Sequence, residues 1–252
     1  MKYTVVTGAS SGIGYETALA FAARGKNLIV AARREEQLEE LKSEISRIYP
    51  DVDVVVRATD LSVSENAYKL YDSLQGFQIE TWINNAGFGN FASVAQQDLD
   101  KISAMLHLNI ESLTILSSLF VRDYSNIEGT QLINVSSGGG YTIVGNAITY
   151  CATKFYVSAF TEGLSHELKS KAALMQAKVL APAATETEFA KRSFDVSEFE
   201  YHGTVPKFHT AKEMAGFMLD LYDNDRVVGI VNGLTYEFEL RDTIYNYVAS
   251  TR

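Results

Sequence analysis

The sequence predicts a single α/β domain built on a doubly wound parallel sheet of about seven strands, with helices on both faces. Short β-branched runs alternate with longer segments whose apolar residues recur at helical spacing. The strand-like runs are apolar on both faces, as a parallel sheet covered by helices requires. Over 252 residues no repeat, low-complexity tract or Pro/Gly-rich linker divides the chain, so one domain over residues 1–252 is expected.

Taken in order, the strands are expected at Tyr3 to Thr7, Asn27 to Ala31, Asp53 to Ala58, Glu80 to Asn84, Gln131 to Ser136, Gln176 to Ala181 and Val227 to Val231. Helical segments lie between them. Glu35 to Ile48 carries the stripe Leu38, Leu41, Ile45 and Ile48, and Ser64 to Leu74 shows the same period. Pro50, Pro182 and Pro206 stand at expected element ends.

The composition is that of an ordinary globular protein, 46% apolar and 21% charged. With 22 Lys and Arg against 31 Asp and Glu, the net charge of −9 argues against nucleic acid or an anionic membrane as the principal partner. The chain runs from Met1 straight into a strand-like segment, with no basic leader and no apolar run long enough to span a bilayer. The expectation is therefore a soluble, cytoplasmic protein. A lone cysteine, Cys151, excludes an intramolecular disulfide.

After the first strand comes Thr7-Gly8-Ala9-Ser10-Ser11-Gly12-Ile13-Gly14, then the helical run Tyr15 to Ala23. A glycine-rich turn from strand into helix lets backbone N–H groups approach a pyrophosphate, with the positive end of the helix dipole facing the anion. The second strand ends Ala31-Ala32-Arg33-Arg34. Ala32 stands where an acid would accept hydrogen bonds from an adenosine ribose and repel a 2′-phosphate. Guanidinium groups there suit a phosphate instead, and arginines at a helix start oppose the helix dipole. This favours NADP over NAD; two solvated arginines paired with Glu35, Glu36 or Glu39 are the alternative.

Tyr150-Cys151-Ala152-Thr153-Lys154 places a phenol and an ammonium one helical turn apart on one face. A cation beside a phenol favours the phenolate and brings its pKa toward working range. The four histidines, His107, His166, His202 and His209, are dispersed without the spacing of a metal site, and no metal is expected.

These residues, together with Asn84-Asn85-Ala86-Gly87 and Asn134-Val135-Ser136-Ser137, resemble the short-chain dehydrogenase/reductase family from Thr7 to about Thr187. The resemblance implies a Rossmann-type fold and hydride transfer between a nicotinamide and a carbonyl compound or alcohol. By position it assigns Gly8, Ser10, Ser11, Gly12, Ile13 and Gly14 to the pyrophosphate turn, Arg33 and Arg34 to the 2′-phosphate, and Asp60 and Leu61 to the adenine. Asn85, Ala86 and Gly87 line the adenosine ribose, and Pro182, Thr185 and Thr187 border the nicotinamide. For Asn84, ligand contact and a structural role stand equally.

The implied catalytic set is Asn109, Ser137, Tyr150 and Lys154. Tyr150 would be the general acid/base, Ser137 would bond the substrate oxygen, and Lys154 would hold the cofactor ribose. Asn109 would sit at a helix kink and hold a water. Ser137 lies thirteen residues before Tyr150, as the family pattern has it, and Ser136 is read as a strand-end residue. The family has Pro-Gly where this chain has Pro182-Ala183.

Residues 183–206, with Phe189, Phe194, Phe199 and Tyr201, correspond to the family's substrate lid. Phe88, Phe91 and Tyr141 would complete an apolar pocket; Lys191 and Arg192 would either meet a substrate carboxylate or solvate the lid. Cys151 is read as a packed residue beside the tyrosine. The resemblance also implies a homodimer or homotetramer through the helix Ile110 to Tyr124 and the one starting near Tyr150. The aromatic tail, with Tyr236, Phe238, Leu240, Tyr245 and Tyr247, would pack on a neighbour or close its own core. Two further readings are an NAD-dependent alcohol dehydrogenase and a non-catalytic NADP(H) sensor; retention of Ser137, Tyr150 and Lys154 together speaks against the sensor.

Overall fold

Strands buried on both faces build the sheet. A computed structural model describes residues 1–249; residues 250–252 of the expected domain lie outside it. In β1 (Lys2–Thr7) Val6 faces one side and Val5 the other, while in β2 (Asn27–Ala32) Leu28 and Val30 point with Val6, and Ile29 and Ala31 with Val5. Each face is therefore apolar and each takes a helical layer. The first is covered by α1 (Gly12–Ala22), α2 (Glu35–Ile48) and α8 (Ala211–Tyr222) through Phe21, Leu38, Leu41, Ile45, Met214 and Met218. On the second lie α3 (Ser64–Asp72), α5 (Leu113–Tyr124) and α6 (Ile148–Ser170), around Trp82, Leu116 and Phe120.

The remaining strands are β3 (Val54–Ala58), β4 (Gln78–Asn84), β5 (Gln131–Val135), β6 (Gln176–Ala181), β9 (Val228–Val231) and β10 (Phe238–Arg241). Their order is β10-β9-β6-β5-β4-β1-β2-β3, every pairing parallel except β9 with β10. The seven expected strands all form, with ends shifted by up to two residues, and the fold class is the expected one. The eighth strand, Phe-Glu-Leu-Arg, was read as aromatic tail because its alternation is masked by charges. It is held by Phe238, which lies over Gly229, where a Cβ would come within 2.9 Å, and stacks on Phe217 at 4.4 Å.

The sequence order reverses between β1 and β4, so the loops leaving their C-terminal ends diverge and open a crevice, the usual ligand position in such sheets. Between β4 and β5 runs α4 (Leu99–Leu106), a π-helical turn (His107–Ser112) and α5. This continuous 26-residue run, Leu99–Tyr124, contains an 18-residue stretch of mean hydropathy 1.4, long and apolar enough to cross a membrane, contrary to the expectation of no such run. Here Met105, Leu116 and Phe120 are buried in the protein's own core clusters. Ile48, counted in the α2 stripe, is instead 45% exposed, because it is the last helical residue and lies beyond the sheet contact.

After β6 the chain forms β7 (Thr185–Glu186), α7 (Phe189–Phe194) and β8 (His209–Thr210). β7 and β8 pair side by side, tying the two ends of the intervening segment together at the crevice mouth. Helix α8 then starts on a capping box between Thr210 and Glu213.

Lys178, within β6, is 1% exposed. Its Nζ donates to the carbonyls of Leu221, Tyr222 and Asn224 at 3.1, 3.0 and 2.6 Å, placing a cation on the carbonyl end of α8. Lys178→Met is expected to lower stability by about 1–2 kcal/mol, since the Asn224 carbonyl loses its donor while those of Leu221 and Tyr222 keep Asn224 N and Gln131 Nε2. A lower urea midpoint at unchanged m-value would bear this out.

Candidate active site

The turn after β1 is dictated by backbone crowding. Gly8 and Gly12 have φ of 69° and 58°, the left-handed region that glycine enters without strain. At Gly14 a Cβ would lie 2.4 Å from the Gly8 carbonyl oxygen and from Asn85 Nδ2, so α1 can begin this close to β1 only as glycine. The first turn of α1 contains no acidic residue and Ser11 makes no side-chain cap, so its N–H groups face the cleft without a competing carboxylate from their own helix. Ser10, Ser11, Gly12 and Ile13 line that cleft.

Asn85 holds the turn in place. Its Nδ2 donates to the Thr7 and Gly8 carbonyls at 3.0 and 3.3 Å, while Thr7 Oγ1 accepts from the Asn85 and Ala86 backbone N–H groups at 3.0 Å each. Asn84 turns inward, accepting from Trp82 Nε1 and donating to Ser117 and Asn134, which decides for the structural role. Asn85, Ala86 and Gly87 line the cleft, as do Asp60 and Leu61. The Asp60 carboxylate is engaged locally, accepting from Ser62 N and Oγ.

At the end of β2 Arg33 is exposed and Arg34 half-buried. Arg34 reaches Ser10 (Nη2 to Oγ, 3.3 Å) and forms an ion pair with Glu188 (2.9 Å). The partners weighed for it were Glu35, Glu36 and Glu39; the carboxylate comes instead from the distant segment after β6.

Two strand ends and one helix assemble the other end of the cleft. Ser137 starts a short helical turn (Gly138–Gly140), its Oγ accepting from Gly139 N at 3.0 Å. Ser136 is buried, its Oγ donating to the Lys154 carbonyl at 2.9 Å and contacting Ser158 at 2.7 Å. Tyr150 and Lys154 project from the first turns of α6, 7% and 5% exposed, with Lys154 Nζ 5.9 Å from the Tyr150 ring centroid.

Lys154 Nζ donates to the Val135 carbonyl at 2.9 Å. An ammonium has three protons to donate, so this buried group has capacity left for ligand hydroxyls. Asn109 lies in the π-helical turn; its Nδ2 donates to the Phe88 carbonyl and Thr153 Oγ1 at 2.9 and 3.1 Å, and its Oδ1 accepts from Phe88 N at 3.2 Å. A Cβ on Gly87 would lie 3.0 Å from Asn109 Oδ1 and 3.4 Å from Lys154 Nζ, so this loop passes close to both.

The segment after β6 roofs the cleft. The Pro182 carbonyl accepts from Gly138 N at 2.7 Å, so the Pro-Ala departure leaves the backbone path closed against the Ser137 turn. Thr185 sits in β7, and the Thr187 methyl stands over Gly12, where a Cβ would meet it at 2.9 Å. Phe189 and Phe91 flank the Tyr150 ring at centroid distances of 5.4 and 6.4 Å, and the aromatic chain continues through Phe194, Phe199 and Tyr201. The whole cleft measures about 840 Å³, within the range of ligand sites.

A sequence profile described as short chain dehydrogenase matches residues 2–197. The human protein "Dehydrogenase/reductase SDR family member 11" is 30% identical over 201 residues, covering 77% of each chain. A short-chain dehydrogenase from Sphingobium yanoikuyae, solved in complex with NADPH, superposes with a TM-score of 0.82 at 28% identity, over 91% of this chain and 87% of the other. The "bulky-bulky ketone specific alcohol dehydrogenase" from Comamonas testosteroni gives 0.79 at 27% identity, over 91% and 86%. The chain belongs to the short-chain dehydrogenase/reductase family. A glycine cradle with free helix N–H groups and a buried lysine with spare donors fits the nicotinamide dinucleotide such dehydrogenases use.

The electrostatics of this dehydrogenase depart from expectation at one point. Burial raises the Tyr150 phenol above its ordinary value, and it is the hydrogen bond with Ser137 that opposes the rise. Lys154, expected to supply the lowering, is itself pushed down to about 8 by burial. The reason is geometric: its ammonium lies over the ring and points to the Val135 carbonyl.

For Lys191 and Arg192 the sequence leaves two roles open, meeting a substrate carboxylate or solvating the segment. Arg192 instead joins Glu188 at 2.8 Å on the Arg34 side, and Lys191 is exposed outside the cleft lining. Cys151 is buried, its sulfur accepting from Val144 N.

Two features were not singled out from the sequence. Glu162, 1% exposed, accepts from Tyr141 OH, Ile244 N and Tyr245 N at 2.6, 2.6 and 2.8 Å, and Tyr245 OH donates to the Gly140 carbonyl at 2.6 Å. The tail thus closes its own core behind the Ser137 turn. Glu188 is the other. An acid in a central helix turn and an acid in a loop carry no periodic signal, and only their distant partners reveal them.

The buried Lys154 ammonium gives a pH signature. An unfolded lysine titrates near about 10.4, and the folded group near about 8, so between these values the unfolded chain holds the extra proton. Stability limited by this group therefore rises with pH across that window and is lowest below it. Measured by urea unfolding, the wild type is expected to gain on Lys154→Met as pH rises from about 8 to about 10. A constant difference would contradict the assignment.

Proposed function

We propose that the protein is a cytoplasmic NADP(H)-dependent oxidoreductase that interconverts a bulky, apolar carbonyl compound and its secondary alcohol. The observation that carries this reading is the placement of Tyr150 OH beside Ser137 within an aromatic wall, at the opposite end of one cleft from Arg33 and Arg34. The similarity to an NADPH-bound dehydrogenase and to one specific for bulky ketones supports it.

In the reducing direction negative charge develops on the carbonyl oxygen. Tyr150 gives that oxygen its proton, and Ser137 donates a hydrogen bond that orients and polarises it. The bound nicotinamide supplies the hydride. Lys154 offers its spare N–H groups to the cofactor ribose. Asn109 positions α6 through Thr153, whose Oγ1 donates to the Tyr150 carbonyl at 2.7 Å, and its π-helical backbone is placed to hold a relay water.

At the adenosine end Arg33 and Arg34 take the 2′-phosphate. Residues 183–206 act as the lid, and Phe88, Phe91, Tyr141 and Phe189 exclude water from the reacting carbon. The outer faces of α5 and α6, joined by the Thr114–Tyr156 contact, would form a homodimer or homotetramer interface that light scattering can count.

Oxidation of NADPH, followed at the reduced-nicotinamide band against aldehydes, keto acids, keto esters and bulky ketones, is expected with the bulky ketones. Turnover with NADH alone would favour the NAD-dependent reading. Tyr150→Phe is expected to cut kcat by about 10²–10⁴-fold, the share of positioned general acid catalysis, with NADPH affinity retained. Arg34→Ala is expected to weaken NADPH by about tenfold or more, the worth of a charge-assisted hydrogen bond, and to leave NADH nearly unaffected. Equal losses for both cofactors would count against phosphate reading at this position.

A further inference from the structure

The Arg34 guanidinium already holds an anion. Glu188, the residue before α7, accepts from Arg34 through both oxygens (2.9 and 3.4 Å) and from Arg192 Nη2 at 2.8 Å. Arg192 is one turn further along, so a single lid carboxylate bridges a cleft arginine and a lid arginine. The carboxyl is held below its ordinary range first by Arg34, with Ser11 of the glycine turn and Arg192 also contributing. Arg192 in turn lies within the field of Arg34 and Arg33. Two guanidiniums therefore share one monovalent acid, with the charge of Arg33 close to them.

We propose that Glu188 is a built-in rival of the cofactor's 2′-phosphate, and that its displacement recruits Arg192 from the lid as a third phosphate ligand. This rests on the NADP reading above. A 2′-phosphate carries about −1.5 to −2 charge and three strong acceptor oxygens, against one charge on a carboxylate. It can take both guanidiniums in paired geometry, whereas the 2′-hydroxyl of NAD cannot compete for them.

The Glu188 bonds are partly exposed, with its side chain 45% accessible, so their loss is small. Cofactor choice is then set twice: by the arginines that attract the phosphate and by an acid that must be outbid. Because Glu188 and Arg192 belong to the lid, the exchange also reports cofactor identity to the segment that covers Tyr150.

The test is equilibrium binding of 2′,5′-ADP, 5′-AMP, NADPH and NADH to the full chain by calorimetry, with variants whose melting curves match wild type. Glu188→Gln is expected to tighten 2′,5′-ADP and NADPH about three- to fivefold, the range of a partly exposed ion pair, and to change 5′-AMP and NADH less than twofold. Arg192→Ala is expected to weaken 2′,5′-ADP at least about threefold by the same scale. Hydrogen exchange across residues 189–201 should respond to 2′,5′-ADP and not to 5′-AMP.

Unchanged or weaker 2′,5′-ADP binding in Glu188→Gln overturns the rivalry. If Arg34→Ala still weakens 2′,5′-ADP in that case, only the role of Glu188 falls. If wild type binds 2′,5′-ADP no more tightly than 5′-AMP, and Arg34→Ala changes neither, the NADP reading falls with it.

Discussion

The Asn85 side chain and the Thr7 hydroxyl clamp β1 to the loop leaving β4 where the two strands part, and the site depends on that clamp. From it a continuous set of contacts runs through the molecule. Asn85 fixes the glycine turn on one side and delivers Gly87 and Phe88 to Asn109 on the other. Asn109 bonds Thr153, and Thr153 bonds the Tyr150 carbonyl. The cofactor cradle and the Tyr150 helix are therefore one hydrogen-bonded assembly, in which side chains spend their donors on backbone groups that loops would otherwise leave unpaired. The π-helical turn at Asn109 belongs to the same assembly: one extra residue per turn aims its side chain at the loop from β4 while α4 and α5 keep their packing.

Against that rigid frame the protein carries two unfavourable placements at the Ser137 end of the cleft. A phenol is buried where its charged form is disfavoured, and an ammonium is buried with one protein acceptor. Packing alone gives no reason for either, since a methionine and a phenylalanine would fill the same space at less cost. Lys178 shows the contrast. It is equally buried, but three carbonyls surround its ammonium and it serves the end of α8. Among the described contacts, the under-satisfied cation beside a buried phenol has donors left for a ligand, whereas the satisfied one serves the fold.

That difference explains what was legible in the sequence. The strands and helices of the sheet were readable because each strand alternates between two apolar faces and each helix carries a stripe. The glycine turn was readable because a Cβ at Gly14 has no room. β10 was not, since an edge strand with Glu239 and Arg241 facing outward looks like tail. The membrane-length apolar run Leu99–Tyr124 was missed because its period is broken by the π turn and its composition is diluted by Asn109 and Glu111. The motif residues Gly12, Ser137, Tyr150 and Lys154 line one cleft, whereas the residues held by distant partners carry no sequence signal. Glu162 depends on the tail and Glu188 on Arg34, contacts separated by more than eighty and one hundred and fifty residues.

Short as α7 is, it presents two faces with different contacts. Phe189 lies on the Tyr150 ring, and Phe194 stacks on Phe91 at 4.6 Å, covering the Tyr150 end of the cleft with apolar surface. On its other face Arg192 pairs with Glu188, the residue just before the helix, which in turn meets Arg34. Lys101 pins the far end of the same helix through Asp195 and the Arg192 carbonyl, at 2.6 and 2.9 Å. A rigid six-residue helix cannot shift one face without shifting the other. Arg192 and Phe189 share that helix, so the ion pairs that meet Arg34 and the aromatic contact on Tyr150 are anchored on one short element.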